Sequence, residues 1–255
     1  MPLRSKIPGD SERQQARLIL QTTLMSTLPV DKQQWLSDQL SLVAIEKSNR
    51  SVDLVFEQSH SRLHKEPATF NALQIKQLHK CIPQWHVEQL STDCIARILV
   101  LSTFTDAAQL AEQMRRLLHH ADLTGQLALY KGLPLYTPSA ALNDSLAKGL
   151  CSCDRRVFEA IAHHNPYTCW HLNSHRFNFM VLNALLIGSS LAPIVGLPER
   201  HNAELACLLL NFVRERQFVR ERQATAQTVS DELWELVLPY MDAAECREFH
   251  LQKAS

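Results

Sequence analysis

Apolar residues recur at intervals of three and four along most of this chain, a spacing that predicts amphipathic helices. Residues 11–28 place Ala16, Ile19, Leu20, Thr23 and Leu24 on one face, and Pro29 ends the run. Asp31 is placed to cap a second helix carrying Trp35, Leu36, Leu40 and Val43. The charged stretch 48–65 holds an apolar island at Val52, Leu54, Val55 and Phe56 and reads as helix. Phe70, Leu73 and Leu78 lead into a break at Pro83 and Trp85, after which Ser91 and Asp93 open a strongly apolar helix through Ile95, Ile98, Leu99 and Leu101. Asp106 caps the next, with Ala107, Leu110, Met114, Leu117 and Leu118 in register. A turn at Gly125 precedes Leu127, Leu129 and Tyr130, and Pro134 and Pro138 mark an extended link. Helices follow at about 140–149, 154–164, 174–187, 199–216 and 230–240, with a short tail helix to about 250. No stretch alternates with period two for long enough to be a strand.

Helices of this length with short connections predict an all-α fold: antiparallel helix pairs in a compact bundle or a short HEAT-like stack. No internal repeat supports the stack. Pro67 and the charge-rich stretch from Lys65 divide an N-terminal helical segment, 1–65, from a main helical domain, 66–255.

Composition narrows the function. With 26 basic and 26 acidic side chains in 255 residues, the chain has no cationic excess to track a phosphate backbone, so nucleic acid is not an expected partner. No run of about 18 apolar residues is present, so no membrane span is expected. The first 30 residues lack a secretory apolar core. Seven scattered cysteines read as reduced thiols in a cytoplasmic protein.

Chemistry-bearing residues concentrate between Cys151 and Asn178. His171 and His175 have the four-residue spacing of two metal ligands on one helix face, with Cys151, Cys153 or Cys169 available to complete a set. Yet Leu172, Asn173 and Ser174 read as a loop and a helix start, and one residue separates Cys151 from Cys153. No metal and no cofactor is assigned. Pro166 forces Asn165 out of the α region and ends the helix from Asp154. Around it His164, Asn165 and Tyr167 are either a satisfied helix terminus or the polar floor of a pocket. Asn178 and Asn183 stand inside the most apolar helix, where each amide must find partners or line a cavity. Arg214, Arg216, Arg220 and Arg222, interleaved with Glu215 and Glu221, make a charged helix face. Phosphate loops, nucleophile elbows, HExxH and CxxC are all absent, and no catalytic residue is assigned.

Six stretches, IPQW…STDCIARILVL (82–101), ADLTGQLALYKGLPL (121–135), VFEAIAHHNPY (157–167), NFMVLNALLIG (178–188), IVGLPERHNAELA (194–206) and DELW (231–234), resemble in order and spacing the EboA family, a bacterial group encoded in the ebo or edb gene clusters. The resemblance implies an all-helical protein of secondary-metabolite production or export. In cyanobacteria such clusters are tied to moving a sunscreen-pigment precursor to the periplasm. In pseudomonads they are tied to repelling grazing nematodes. Positions matching the family pattern are Arg97, Asp122, Tyr130, Asn165, Tyr167, Asn178, Arg200, Asn202, Glu215 and Trp234. The pattern has Lys where this chain has Asn183 and Asp where it has Asn211, a paired loss of charge that leaves neither partner stranded.

The expected function is therefore a noncatalytic helical protein of a metabolite biosynthesis or trafficking pathway. It would bind a small metabolite, or partner proteins from the same gene cluster, through His164, Asn165, Tyr167, Asn178, Arg97, Tyr130, Arg200 and Asn202. The alternatives are an isomerase or hydrolase acting through a His/Tyr/Asn pocket, and a structural scaffold.

Overall fold

A computed structural model describes residues 7–63 and 66–222, with side chains through residue 215. Thirteen α-helices and one 3-10 turn make up the regular structure of these residues, and the chain is all-α. Among them an isolated antiparallel bridge pairs Pro67 with Ser91. The expected helices at 230–240 and at the tail, with Trp234, lie outside the described residues, as do the side chains of Arg216, Arg220 and Arg222.

The chain divides into two compact units, the first ending at Leu172 and the second beginning at Asn173. In the first unit, α1 (Asp10–Thr27), α2 (Val30–Glu46), α3 (Asn49–Arg62) and α4 (Ala72–Cys81) precede the central α5 (Thr92–Leu101). All ten residues of α5 are buried: its apolar residues fill the core, and its polar Thr92, Asp93 and Arg97 are buried with them, Arg97 donating to the Phe56 carbonyl and to Thr124 Oγ1. Helices α1, α2, α3, α6 (Ala107–His120) and α7 (Leu123–Lys131) all pack against α5. Each fully covered leucine or isoleucine on it contributes about 1.5–3 kcal/mol. α8 (Ala140–Leu150) lies on α6 and on α9 (Arg155–Ala162), and α9 also packs on α7. α10 (Pro166–His171) rests against the 3-10 turn Leu133–Leu135. In the second unit α11 (Ser174–Leu186) packs on α13 (Ala203–Arg222), with the single turn α12 (Leu197–Arg200) between them in sequence.

Local chemistry sets most boundaries. Ser48, Asn71, Asp106, Asp122, Ser139, Asp154 and Asn173 each accept a backbone N–H in the first turn of the helix they precede. Four expectations are corrected. Asp31 lies inside the first turn of α2, whose N-cap is Pro29. Gly125 is inside α7, because Asp122 takes its N–H at 2.8 Å and starts the helix three residues earlier. Pro166 does more than break a helix: with φ already near the helical value it occupies the first position of α10, and Asn165 is the cap. The run 199–216 is two helices, parted at His201 and Asn202, where Asn202 caps α13 through Leu205 N–H at 3.0 Å.

Gly149 permits a close approach. A Cβ there would lie 2.5 Å from the Tyr130 hydroxyl and 2.5 Å from Ile161 Cδ1, so α8 comes near α7 and α9 only where a side chain is missing.

Candidate functional site

A cleft of about 370 Å³ opens in the first unit between α7, α9 and the segment joining α4 to α5. That segment supplies Trp85, His86, Gln89 and Leu90; α7 supplies Leu127 and Lys131. Arg156, Glu159, Ala160 and His163 come from α9 and its end, at the helical spacings that place them on one stripe, and His164 and Asn165 close the corner.

Three features hold this corner. The Trp85 indole donates to the carbonyl of Lys131 at 3.1 Å, tying the α4–α5 segment to the end of α7. The His86 and His164 rings stack with centroids 4.4 Å apart and planes 19° apart, and His86 N–H donates to the His164 carbonyl at 3.4 Å. His79 and His163 flank the stack at 6.0 Å from His86 and 6.5 Å from His164. Third, His164 adopts φ +53°, a left-handed conformation that non-glycine side chains visit only when their surroundings impose it.

Asn165 is the keystone of the turn. Buried to 2% exposure, it donates to the carbonyls of Tyr130 at 3.0 Å and Ala160 at 3.2 Å. Its Oδ1 accepts Tyr167 N–H at 3.2 Å. The amide's hydrogen-bonding groups are thus engaged inside the protein.

Burial holds the His164 imidazole below its ordinary pKa, and the neighbouring His86 and His163 push the same way. His164 is accordingly neutral at pH 7, an imidazole with one donor and one acceptor. The permanent charges of the cleft sit on Lys131, Arg156 and Glu159. Arg156 is held by Asp154 at 2.8 Å, and Glu159 accepts from Arg155 at 2.6 Å. Lys131 has no ion-pair partner among the described residues.

The other positions singled out by sequence lie elsewhere. Tyr167, on α10, is 1% exposed and donates to Asn143 Oδ1 at 3.0 Å. Tyr130 donates to the Ser145 carbonyl at 3.3 Å, and burial pushes its hydroxyl up to about 12. Arg97 is inside α5 at 3% exposure, donating to the Phe56 carbonyl at 3.1 Å and Thr124 Oγ1 at 2.9 Å. Asp93 and Asp122 stand 4.0 and 3.9 Å from its guanidinium.

In the second unit, Asn178 and Asn202 pair reciprocally. Asn178 Nδ2 donates to Asn202 Oδ1 at 3.2 Å, and Asn202 Nδ2 returns a bond to Asn178 Oδ1 at 3.1 Å. Glu204 accepts from Asn178 at 3.1 Å and meets His175 at 3.2 Å. Arg200 lies 4.3 Å over the Phe177 ring.

Of the eight candidates, the first cleft therefore holds His164 and Asn165. Sequence reading missed Trp85, His86, Lys131 and His163. The tryptophan beside the Pro83 break was visible, but nothing local couples it to a histidine pair so far along the chain. His171 ends α10 and His175 begins α11, so the four-residue spacing does not put them on one helix. Among the described residues no group of three or more histidine, cysteine or acidic side chains is arranged to hold a metal ion. Nor is any described helix long and apolar enough to cross a membrane.

No curated protein and no solved structure matches the chain. A family model does, over residues 16–238, beginning within α1 and taking in every described helix after it. On that match the chain belongs to the EboA family, described as metabolite traffic protein EboA.

Proposed function

We propose that the chain is a noncatalytic binding protein of a metabolite-trafficking pathway, working in the cytoplasm beside proteins of the same gene cluster. In this reading the first cleft receives a small planar metabolite with an acidic group. The observation that carries it is the cleft's lining: Lys131 without an ion pair, Trp85 and Leu127 as apolar wall, and imidazoles of His86, His163 and His164. An ammonium supplies charge, imidazole nitrogens supply directional hydrogen bonds, and the stacked rings offer a flat face. Binding rather than catalysis is favoured because the lining has no serine, cysteine or threonine, and its one carboxylate, Glu159, is tied to Arg155. The family description, metabolite traffic, points the same way.

Isothermal titration with indole-3-carboxylate and the neutral indole-3-carboxamide tests this. The acid binds and the amide binds at least about tenfold more weakly, and Lys131→Met removes that preference. Equal affinity for acid and amide, or a preference unchanged in Lys131→Met, overturns the reading.

A further inference from the structure

A second cleft, also of about 370 Å³, lies in the first unit between α6, α7, α8 and α9. Its residues are Arg115, Leu118 and His119 of α6, Gln126 and Tyr130 of α7, Ser145, Lys148 and Gly149 of α8, then Ser152 and Val157. The two clefts use different stripes of α7: Leu127 and Lys131 line the first, Gln126 and Tyr130 the second.

The lining of the second cleft is one-sided in charge. Arg115, His119 and Lys148 are basic types, and no aspartate or glutamate joins them. Arg115 gives Nε and one terminal nitrogen to Glu112, at 2.9 and 2.6 Å, and keeps its other terminal nitrogen. Lys148 and His119 have no partner among the described residues. The Ser152 hydroxyl accepts Asp154 N–H at 3.2 Å, which leaves its own proton to donate. Leu118, Val157 and the Tyr130 ring provide the apolar part of the wall.

Cations in the last turns of α6 and α8 are expected on helix-dipole grounds. The dipole does not account for three basic types on two helices, Arg115 and His119 on α6 and Lys148 on α8, bordering one cavity whose lining lacks carboxylates. We propose that this cleft is a second binding site, for a phosphate monoester of a small apolar group. Lys148, His119 and the remaining Arg115 nitrogen hold the phosphoryl oxygens, the Ser152 hydroxyl donates to one of them, and the organic part rests on Leu118, Val157 and Tyr130. A phosphate monoester suits this lining better than a single carboxylate, because its three terminal oxygens can accept from Lys148, from the Arg115 nitrogen that Glu112 leaves and from the Ser152 hydroxyl together.

Titration of the full-length chain with phenyl phosphate, inorganic phosphate and benzoate tests the site, with far-UV circular dichroism confirming that each variant is folded. Phenyl phosphate binds most tightly of the three. Lys148→Met and His119→Gln each weaken it by about fivefold, whereas Lys131→Met in the first cleft leaves it unchanged. Absence of binding at about 10 mM phenyl phosphate overturns the site. So does an affinity that Lys148→Met leaves intact, or one that is lost in Lys131→Met. Equal affinity for benzoate removes the phosphate assignment, and equal affinity for inorganic phosphate removes the apolar subsite. The indole-3-carboxylate titration reads the other cleft, so either site can fail without the other.

Discussion

His86 and His164 lie face to face, 4.4 Å between ring centroids, and the second of them holds a left-handed backbone. A proton on the His164 ring is disfavoured by burial and by the imidazole stacked on it.

The first prediction follows from that stack. Burial depresses the pKa of both His164 and His171, with His86 and His163 adding to the first and Arg13 to the second. The unfolded chain then binds more protons than the folded one near and below the ordinary histidine pKa, so stability rises with pH through that window. The contribution is complete above the unfolded value of about 6.5 and is lost as pH falls through the folded values. Urea midpoints at pH 7.5 and 5.5 will show the folded state weakened in acid. His164→Asn, which tolerates the left-handed backbone, will shrink the difference. An unchanged difference in that variant removes His164 from the account.

Asn165→Ala removes a cap and takes a side-chain donor from two carbonyls, those of Tyr130 and Ala160, beside the cleft. The expected loss is about 2–3 kcal/mol. Asn165→Asp restores the cap acceptor but turns a carboxylate toward those same carbonyls, so it will be no more stable than the alanine variant. Full recovery with aspartate would show that the cap alone matters. Urea denaturation measures both.

Arg97→Met leaves Asp93, 3% exposed, without its guanidinium neighbour in the central helix. Stranding a buried carboxylate costs about 3–5 kcal/mol. The Ser91 hydroxyl still donates to Asp93 Oδ1, and His60, 3.6 Å from Asp93, adds relief only when protonated, so the loss falls at the lower end of that range. The double variant Arg97→Met with Asp93→Asn should recover much of the loss, because no unpaired charge then remains inside. A double variant less stable than Arg97→Met would contradict a charge-pairing role.

In the second unit, the mutual amide bonds of Asn178 and Asn202 make their effects non-additive. Alanine at both positions will cost about 1 kcal/mol less than the sum of the single changes. Asn202→Ala also gives up the N-cap bond to Leu205. Strict additivity in chemical denaturation would show that the pair carries no coupling.

Helix content was legible because it is a local property. The three-and-four spacing predicts α1, α5, α6 and α11 closely, and Asp106 is the cap its position suggests. Boundaries went astray where a single side chain decides the turn. Asp122 reaches forward to Gly125 and makes helix of an expected turn, and Asn202 starts a new helix within one apparent run. Asn165 and His164 were legible as a polar corner, since Pro166 marks the chain break on which both depend.

The order of amino acids by itself determined an all-helical chain, its apolar faces, the strongly apolar character of α5 and membership in its family, because each rests on periodicity or motif order. Tertiary structure alone decided which polar groups meet. It set His86 on His164, brought the Asn165 amide to Tyr130 and Ala160, enclosed Arg97 between α3 and α7, and left Lys131 and Lys148 in separate clefts. A hydrophobic pattern specifies which face of a helix turns inward. Which partner that face meets depends on packing among helices remote in sequence, and side chains there find their hydrogen bonds only once those helices have docked.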